Sequence, residues 1–314
     1  MAGIKIVLGA GVFWLYTNWT AEGVEEFLST FVAGGIKEID TAQVYGESEL
    51  ILGTNDASKR FDISTKLPGK YVPGSLSKDE VLTRTKASLE TLKLRQLDIL
   101  YLHAPDPSVP IEDTLAGVQT LYTEGAFRRF GLSNYTTEDV RKIHEHQKRK
   151  GWVLPTVYQG NYNPVARNYE NDLIPTLRQL NIAFYAYSPA AGGFLAKSKE
   201  QVLDGSGRFS MTTANIGQMY NSLYNKASLL KGLETWHEIA RDAGCSPYNL
   251  AIRWVTFNSA LKPEHNDAII IGPRDLEQSK ETFVGLGQGP LSPEISQRIN
   301  ALWDTVRHEA PSAE

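Results

Sequence analysis

Two rhythms of apolar residues alternate along this chain. Short runs nearly continuous in apolar residues occur at IKEID (36–40), FDISTKL (61–67), LDILYLHA (97–104), RRFGLSN (128–134), TVYQGN (156–161), IAFYAYSP (182–189) and AIIIG (268–272). Parallel strands read this way when helices cover them from outside. Between these runs, apolar positions fall three and four apart, the period of a helix that buries one face.

Several of these helices carry their own start and stop signals. Thr20 precedes Val24, Phe27, Leu28 and Phe31, and the Gly34-Gly35 pair ends that helix. Ser77 with Glu80 reads as a capping box ahead of Val81, Leu82, Leu89 and Leu92. Ser292-Pro293 opens a last helix with Ile295, Ile299, Leu302, Trp303 and Val306 on one face.

Seven strands count directly, and an eighth fits within FVGLGQGPL (283–291). The apolar run from Ile6 to Tyr16 reads as an early buried strand and turn; it is too short to span a bilayer. Eight alternating units in 314 residues predict an α/β chain folded as a closed (β/α)8 TIM barrel rather than an open doubly wound sheet. Without a composition shift, a linker or a strong repeat, residues 1–314 read as a single domain. Two longer connections stand out. Residues 104–113 are rich in Pro and Asp, and 189–228, rich in Gly, Ser and Asn, read as an active-site loop.

Charge and cysteine content narrow the partners. A net charge of −4 argues against nucleic acid, and no run predicts a membrane segment. The one cysteine, Cys245, excludes an internal disulfide framework and suits a reducing, cytoplasmic compartment. The N-x-T sequons at Asn18 and Asn134 matter only in a secreted chain.

In a barrel of this type, chemistry gathers at the C-terminal ends of the strands. Those ends are Asp40, Lys66, His103, Ser133-Asn134, Gln159 and Tyr187-Ser188, polar in every case after an apolar run. Tyr45 follows Asp40 by five residues. A tyrosine donates a proton to a substrate oxygen, but its ordinary pKa is about 10. A nearby ammonium such as Lys66 is expected to lower that value, with Asp40 holding the lysine by an ion pair. His103 is placed either to orient a carbonyl or to relay the proton. The set suits reduction of a C=O group, and with no metal cluster in view the hydride implies an organic cofactor.

These motifs resemble the aldo-keto reductases along nearly the whole chain, from KIVLGAG through IDTAQVYGESE, ISTKL, LDILYLHAPD, GLSNY and YSPAAGG to IIIGPRDLEQ. The resemblance implies a (β/α)8 enzyme reducing aldehydes and ketones with NADPH, and a catalytic tetrad of Asp40, Tyr45, Lys66 and His103. Tyr45 would be the general acid and His103 would position the carbonyl. It implies nicotinamide contacts at Ser133, Asn134 and Gln159, and ring stacking on Tyr187 beside Ser188. Gly272, Arg274 and Gln278 would follow the seventh run, with Arg274 on the 2′-phosphate of NADP and Gln278 near the adenine. YSPAAGG, QGNYNPVAR and GRF (207–209) look most like the aflatoxin-aldehyde-reductase branch and its microbial relatives, some of them dimers, so a homodimer is one implied assembly. That branch has Asn where this chain has Ser188, and family members often have Asn near Thr282. The short N-terminus implies a reduced hairpin under the barrel.

Two motifs are set aside. VLGAGVFW (7–14) begins like a dinucleotide fingerprint, but Trp14 replaces its third glycine. As a barrel element it is expected to bring Val12, Phe13 and Trp14 to the mouth, with Trp14 against the substrate. His144 and His146 lie two apart in a charged helical run, so they point to different sides and share no metal. A rival reading keeps the fold but makes the chain a cofactor-holding regulatory subunit with little turnover.

Overall fold

The strand runs pair side by side, in chain order, until the sheet meets itself. The computed structural model describes residues 3–16, 19–211 and 214–311, so the Asn18 sequon lies outside the described residues. The strands are β1 (Lys5–Gly9), β2 (Glu38–Asp40), β3 (Asp62–Leu67), β4 (Leu97–Leu102), β5 (Phe127–Ser133), β6 (Pro155–Asn161), β7 (Ala183–Tyr187) and β8 (Ala268–Ile271). All are parallel and close as β1 through β8. Helices α1 (Val12–Leu15), α2 (Ala21–Ala33), α3 (Ser48–Thr54), α4 (Lys78–Thr91), α5 (Ile111–Thr123), α6 (Thr137–Lys150) and α7 (Leu173–Gln179) accompany the first strands. After β7 come α8 (Lys199–Leu203), α9 (Ala214–Tyr224), α10 (Ala227–Asp242) and α11 (Pro247–Arg253); α12 (Leu276–Gly287) and α13 (Pro293–Val306) follow β8.

The eighth strand is not where the apolar run at 283–291 suggested. Residues 283–287 of that run form the end of α12, a helix with Ser279, Thr282 and Gly285 inward and Val284 66% exposed. A strand buried on both faces has no room for so open a valine. The closing strand is instead KIVLG, whose Leu8 pairs with Ile39 on one side and Ile271 on the other.

Alternation along the strands sets what faces inward. Val7, Ile99, Tyr101, Val157, Tyr185 and Ile270 fill the barrel interior. Gly131 makes room there, since a Cβ at that position would lie 2.3 Å from the Tyr101 ring. Counting on by two from such positions brings Lys66, His103 and Gln159 to the top. Counting down brings a polar layer to the bottom. Lys5 donates to Glu38 at 2.8 Å and to Tyr185 at 3.1 Å, and Arg129 donates to Tyr185 at 3.0 Å.

Local helix signals hold at two of the three starts. Thr20 accepts from the Gly23 amide at 3.1 Å, and Ser292 from that of Ile295 at 3.2 Å. The Ser77–Glu80 capping box does not form. The Asp113 carboxylate accepts from the Lys78 amide at 2.7 Å, and Glu80 pairs with Arg84 at 2.8 Å. The 189–228 segment is a folded cap rather than an irregular loop: α8, α9 and two 3-10 turns pack Phe194 and Phe209 against Tyr224 and Tyr220. Among the described residues, no helix is long and apolar enough to cross a membrane.

Candidate active site

The stretch after β2 is fixed at several points, and together they aim Tyr45. The Thr41 amide donates to Ser64 O at 2.9 Å, and Ser48 Oγ donates to Ala10 O at 2.9 Å. Gln43 Nε2 donates to Arg84 O at 2.9 Å and to Ser88 Oγ at 2.8 Å. Two successive turns, Tyr45 N to Ala42 O and Ser48 N to Tyr45 O, carry the ring over the strand ends. Gly46 has φ +52, and a Cβ there would lie 2.8 Å from Trp14 Cδ1, so glycine lets the Trp14 ring approach. That ring stacks on Tyr45 with centroids 5.7 Å apart and planes within 8°.

Beside Tyr45, Lys66 is fully buried and donates to Asp40 Oδ2 at 2.5 Å and to Thr41 O at 2.8 Å. Its Nζ lies 4.9 Å from the centre of the Tyr45 ring, within cation–π range. The second carboxylate oxygen, Asp40 Oδ1, accepts from Gln159 Nε2 at 2.8 Å. His103 stands edge-on to Tyr45 at 5.7 Å, with Tyr71 packed against it at 5.0 Å. Its buried Nδ1 has no hydrogen-bond partner among the described residues. Asp40, Tyr45, Lys66, His103 and Trp14 are therefore brought together.

The electrostatics correct one expectation. Burial, and after it the Asp40 charge, pushes the Tyr45 phenol well above its ordinary 10. The net shift is upward although the Lys66 ammonium stands beside the ring. Burial also lowers the Lys66 ammonium, against the pull of Asp40. Tyr45 thus stays a neutral phenol able to donate a proton.

Burial, and then the Lys66 charge, holds the His103 imidazole well below its ordinary 6.5. As pH falls through about 6.5, the unfolded chain gains a proton at this residue and the folded chain does not. Stability from this group is therefore lost as pH falls, by up to about 1.4 kcal/mol per unit. The urea midpoint is expected to drop less between pH 7.5 and pH 5.5 in His103→Phe than in the wild type. Equal drops would mean that folded His103 protonates freely.

The next strand ends form a linked shelf. Asn134, in the left-handed region at φ +58, donates to His103 O at 2.8 Å and accepts from Tyr187 Oη at 3.1 Å. Ser133 lies beside it, with Asn134 Nδ2 3.2 Å from its Oγ, and pairs in register with Gln159. Ser188, at φ +52, shares a hydrogen bond of 3.3 Å with Tyr220 Oη. Past β8, Gly272 lies against the Gly9 carbonyl, where a Cβ would sit at 3.1 Å. Asp275 caps α12 by accepting from the Gln278 amide at 2.8 Å, and Gln278 Oε1 accepts from Arg274 N at 2.9 Å. Arg274 Nε donates to Asp275 at 2.9 Å from an exposed position.

Some neighbours were missed by the sequence reading. The cap delivers Arg208, which donates to Tyr220 Oη at 3.0 Å and whose charge reaches Tyr45. Burial lowers the Lys197 ammonium, and the charges of Arg274 and Arg208 lower it further, which marks a cationic cluster. A signal for Arg208 existed: it is the only charged residue in 205–225. Tyr71 had none. Val12 and Phe13, expected at the mouth, are buried, Phe13 against Trp19 and Phe27. His144 and His146 lie on α6, and among the described residues no group of His, Cys, Asp and Glu is arranged to hold a metal.

The Aldo/keto reductase family model matches residues 5–304. The chain belongs to that family. It is thus an oxidoreductase by descent, and its relatives agree with the branch that the motifs suggested. It is 35% identical over 300 residues to "Oxidoreductase sirO" of Leptosphaeria maculans, covering 95% of this chain and 91% of the relative. It is 37% identical over 297 residues to human "Aflatoxin B1 aldehyde reductase member 4", covering 90% and 89%. Rat "Aflatoxin B1 aldehyde reductase member 2" matches at 37% over 297 residues, covering 90% and 80%.

Proposed function

We propose that this protein reduces aldehydes or ketones to alcohols with NADPH, using Tyr45 as the proton donor. The observation that carries this reading is the buried Asp40–Lys66 pair set 4.9 Å from the Tyr45 ring, with neutral His103 edge-on to it. A neutral phenol suits an acid that must hold its proton until an alkoxide forms. The His103 imidazole, with one ring nitrogen unpartnered among the described residues, positions the carbonyl oxygen. The aromatic mouth of Trp14 and Tyr71 excludes water and favours carbonyls carrying apolar groups.

The residues present fit a nicotinamide dinucleotide. Tyr187 offers an aromatic face at the end of β7, and Ser133, Asn134 and Gln159 offer amide-reading groups beside it. Ser188, with its left-handed backbone, and Gly272 border the shelf. The mutual repulsion of Lys197, Arg208 and Arg274 calls for an anion, and the α12 N-terminus near Gln278 adds backbone donors. When bound, the cofactor supplies the hydride. Arg274 reads the 2′-phosphate that separates NADPH from NADH. Arg274→Ala is therefore expected to weaken NADPH binding on the order of tenfold or more, with NADH changed little. Fluorescence titration with both dinucleotides checks this, and equal losses would remove Arg274 from that role. One cysteine suits work in a reducing, cytoplasmic compartment.

The direct experiment mixes the protein with NADPH and 4-nitrobenzaldehyde and follows nicotinamide absorbance. Many turnovers per chain are expected. Tight cofactor binding without turnover would favour the regulatory-subunit reading instead.

A further inference from the structure

The side chain of Gln159 reaches out of β6 to β2, which is not its neighbour in the barrel. Its Nε2 donates to Asp40 Oδ1 at 2.8 Å, and both residues are buried. Lys66 takes the other carboxylate oxygen, and its Nζ lies 4.9 Å from the Tyr45 ring centre. Gln159, Asp40, Lys66 and Tyr45 therefore form one line of contacts across the barrel mouth. The glutamine is held on both flanks, in register with Ser133 of β5 and Tyr185 of β7. Among the described residues, nothing else donates to Asp40 Oδ1. A buried carboxylate gripped by one donor is free to rotate, whereas two donors on its two oxygens fix its plane.

We propose that Gln159 is a positioning residue for proton delivery, holding Asp40 in the rotamer that keeps the Lys66 ammonium beside Tyr45. This rests on the carbonyl-reduction reading above. It adds to the expected contact of Gln159 with the cofactor a role exerted through Asp40. The titratable and charged groups around this line are Tyr45 and Glu49 from the stretch after β2, Tyr71 after β3, Tyr101 and His103 from the β4 side, Tyr185 from β7, Arg208 and Tyr220 from the cap and, lower in the barrel, Arg129.

Two substitutions test it. Gln159→Met keeps length and bulk but removes the donor. The single-turnover rate at saturating NADPH is expected to fall on the order of 10- to 100-fold, the loss of one charge-assisted hydrogen bond. Gln159→Glu keeps the shape but sets carboxylate against carboxylate, and a donor to Asp40 returns only when one of the two takes up a proton as pH falls. Its rate is expected to be low at neutral pH and to recover as pH falls, a limb absent from the wild type. In the ligand-free protein, the added negative charge is expected to move the Lys66 ¹³Cε titration upward by about one unit. A normal single-turnover rate in Gln159→Met, with only cofactor affinity reduced, would limit Gln159 to cofactor binding and overturn the proposal. An unmoved Lys66 titration in Gln159→Glu would overturn it as well. If the wild type turns over no carbonyl, the reading of function fails, while the Lys66 titration still decides the link from Gln159.

Discussion

Tyr45→Phe is expected to slow carbonyl reduction by about 10²- to 10⁴-fold, the usual contribution of a positioned general acid. Folding and cofactor binding are expected to change little. The Tyr45 ring makes its packing contacts through carbon: the stack on Trp14 at 5.7 Å, the edge contact with His103 at 5.7 Å and the Lys66 ammonium at 4.9 Å from its centre. Phenylalanine retains all three. The measurement pairs a single-turnover rate with NADPH affinity and a urea midpoint. A rate within tenfold of the wild type, with the other two unchanged, would take Tyr45 out of the reaction. The proton would then have to come from His103, the next polar ring in the cluster, whose neutral state makes it a poor donor near pH 7.

The parts of this arrangement that were legible are those fixed by strand ends. Asp40, Lys66 and His103 each close or follow a nearly continuous apolar run, and a barrel gathers such ends at one face. The parts that were not legible depend on contacts between distant segments. KIVLG reads as a strand, but only barrel closure gives it two neighbours, and the run at 283–291 has enough apolar residues to compete with it. Ser77 does not cap its helix, and the first-turn amide of Lys78 is instead satisfied by Asp113, 35 residues on. Tyr71 reaches His103 because the turn at Gly69 is pressed onto the end of β4: φ there is +64, and a Cβ would lie 2.0 Å from Ala104 O. Arg208 arrives only when the cap between β7 and α10 has folded. The sign of the Tyr45 shift was out of reach for the same reason. It depends first on how deeply the ring is buried and then on the charge of Asp40, which also neutralises Lys66 at hydrogen-bond distance.

That neutralisation makes Lys66→Met the second large effect, and one that separates stability from chemistry. Lys66 is fully buried and Asp40 nearly so, and removing the ammonium leaves a carboxylate facing only the Gln159 amide. Breaking one side of a buried pair costs about 3–5 kcal/mol, because the remaining charge keeps its desolvation penalty. In a chain of this size that is a fall in thermal midpoint on the order of 10 °C. The double variant Asp40→Asn with Lys66→Met removes both charges, while the side-chain carbonyl introduced in place of the carboxylate still accepts from Gln159. Most of the stability is expected to return in the double variant, because no ion is then left without its partner. Turnover is expected to stay lost in both variants, because neither carries the ammonium beside Tyr45. Calorimetry and single-turnover kinetics on the four proteins of the cycle check both statements. A single variant as stable as the wild type would mean that solvent reaches Asp40. Recovery of turnover in the double variant would mean that the pair serves the fold and not the proton transfer.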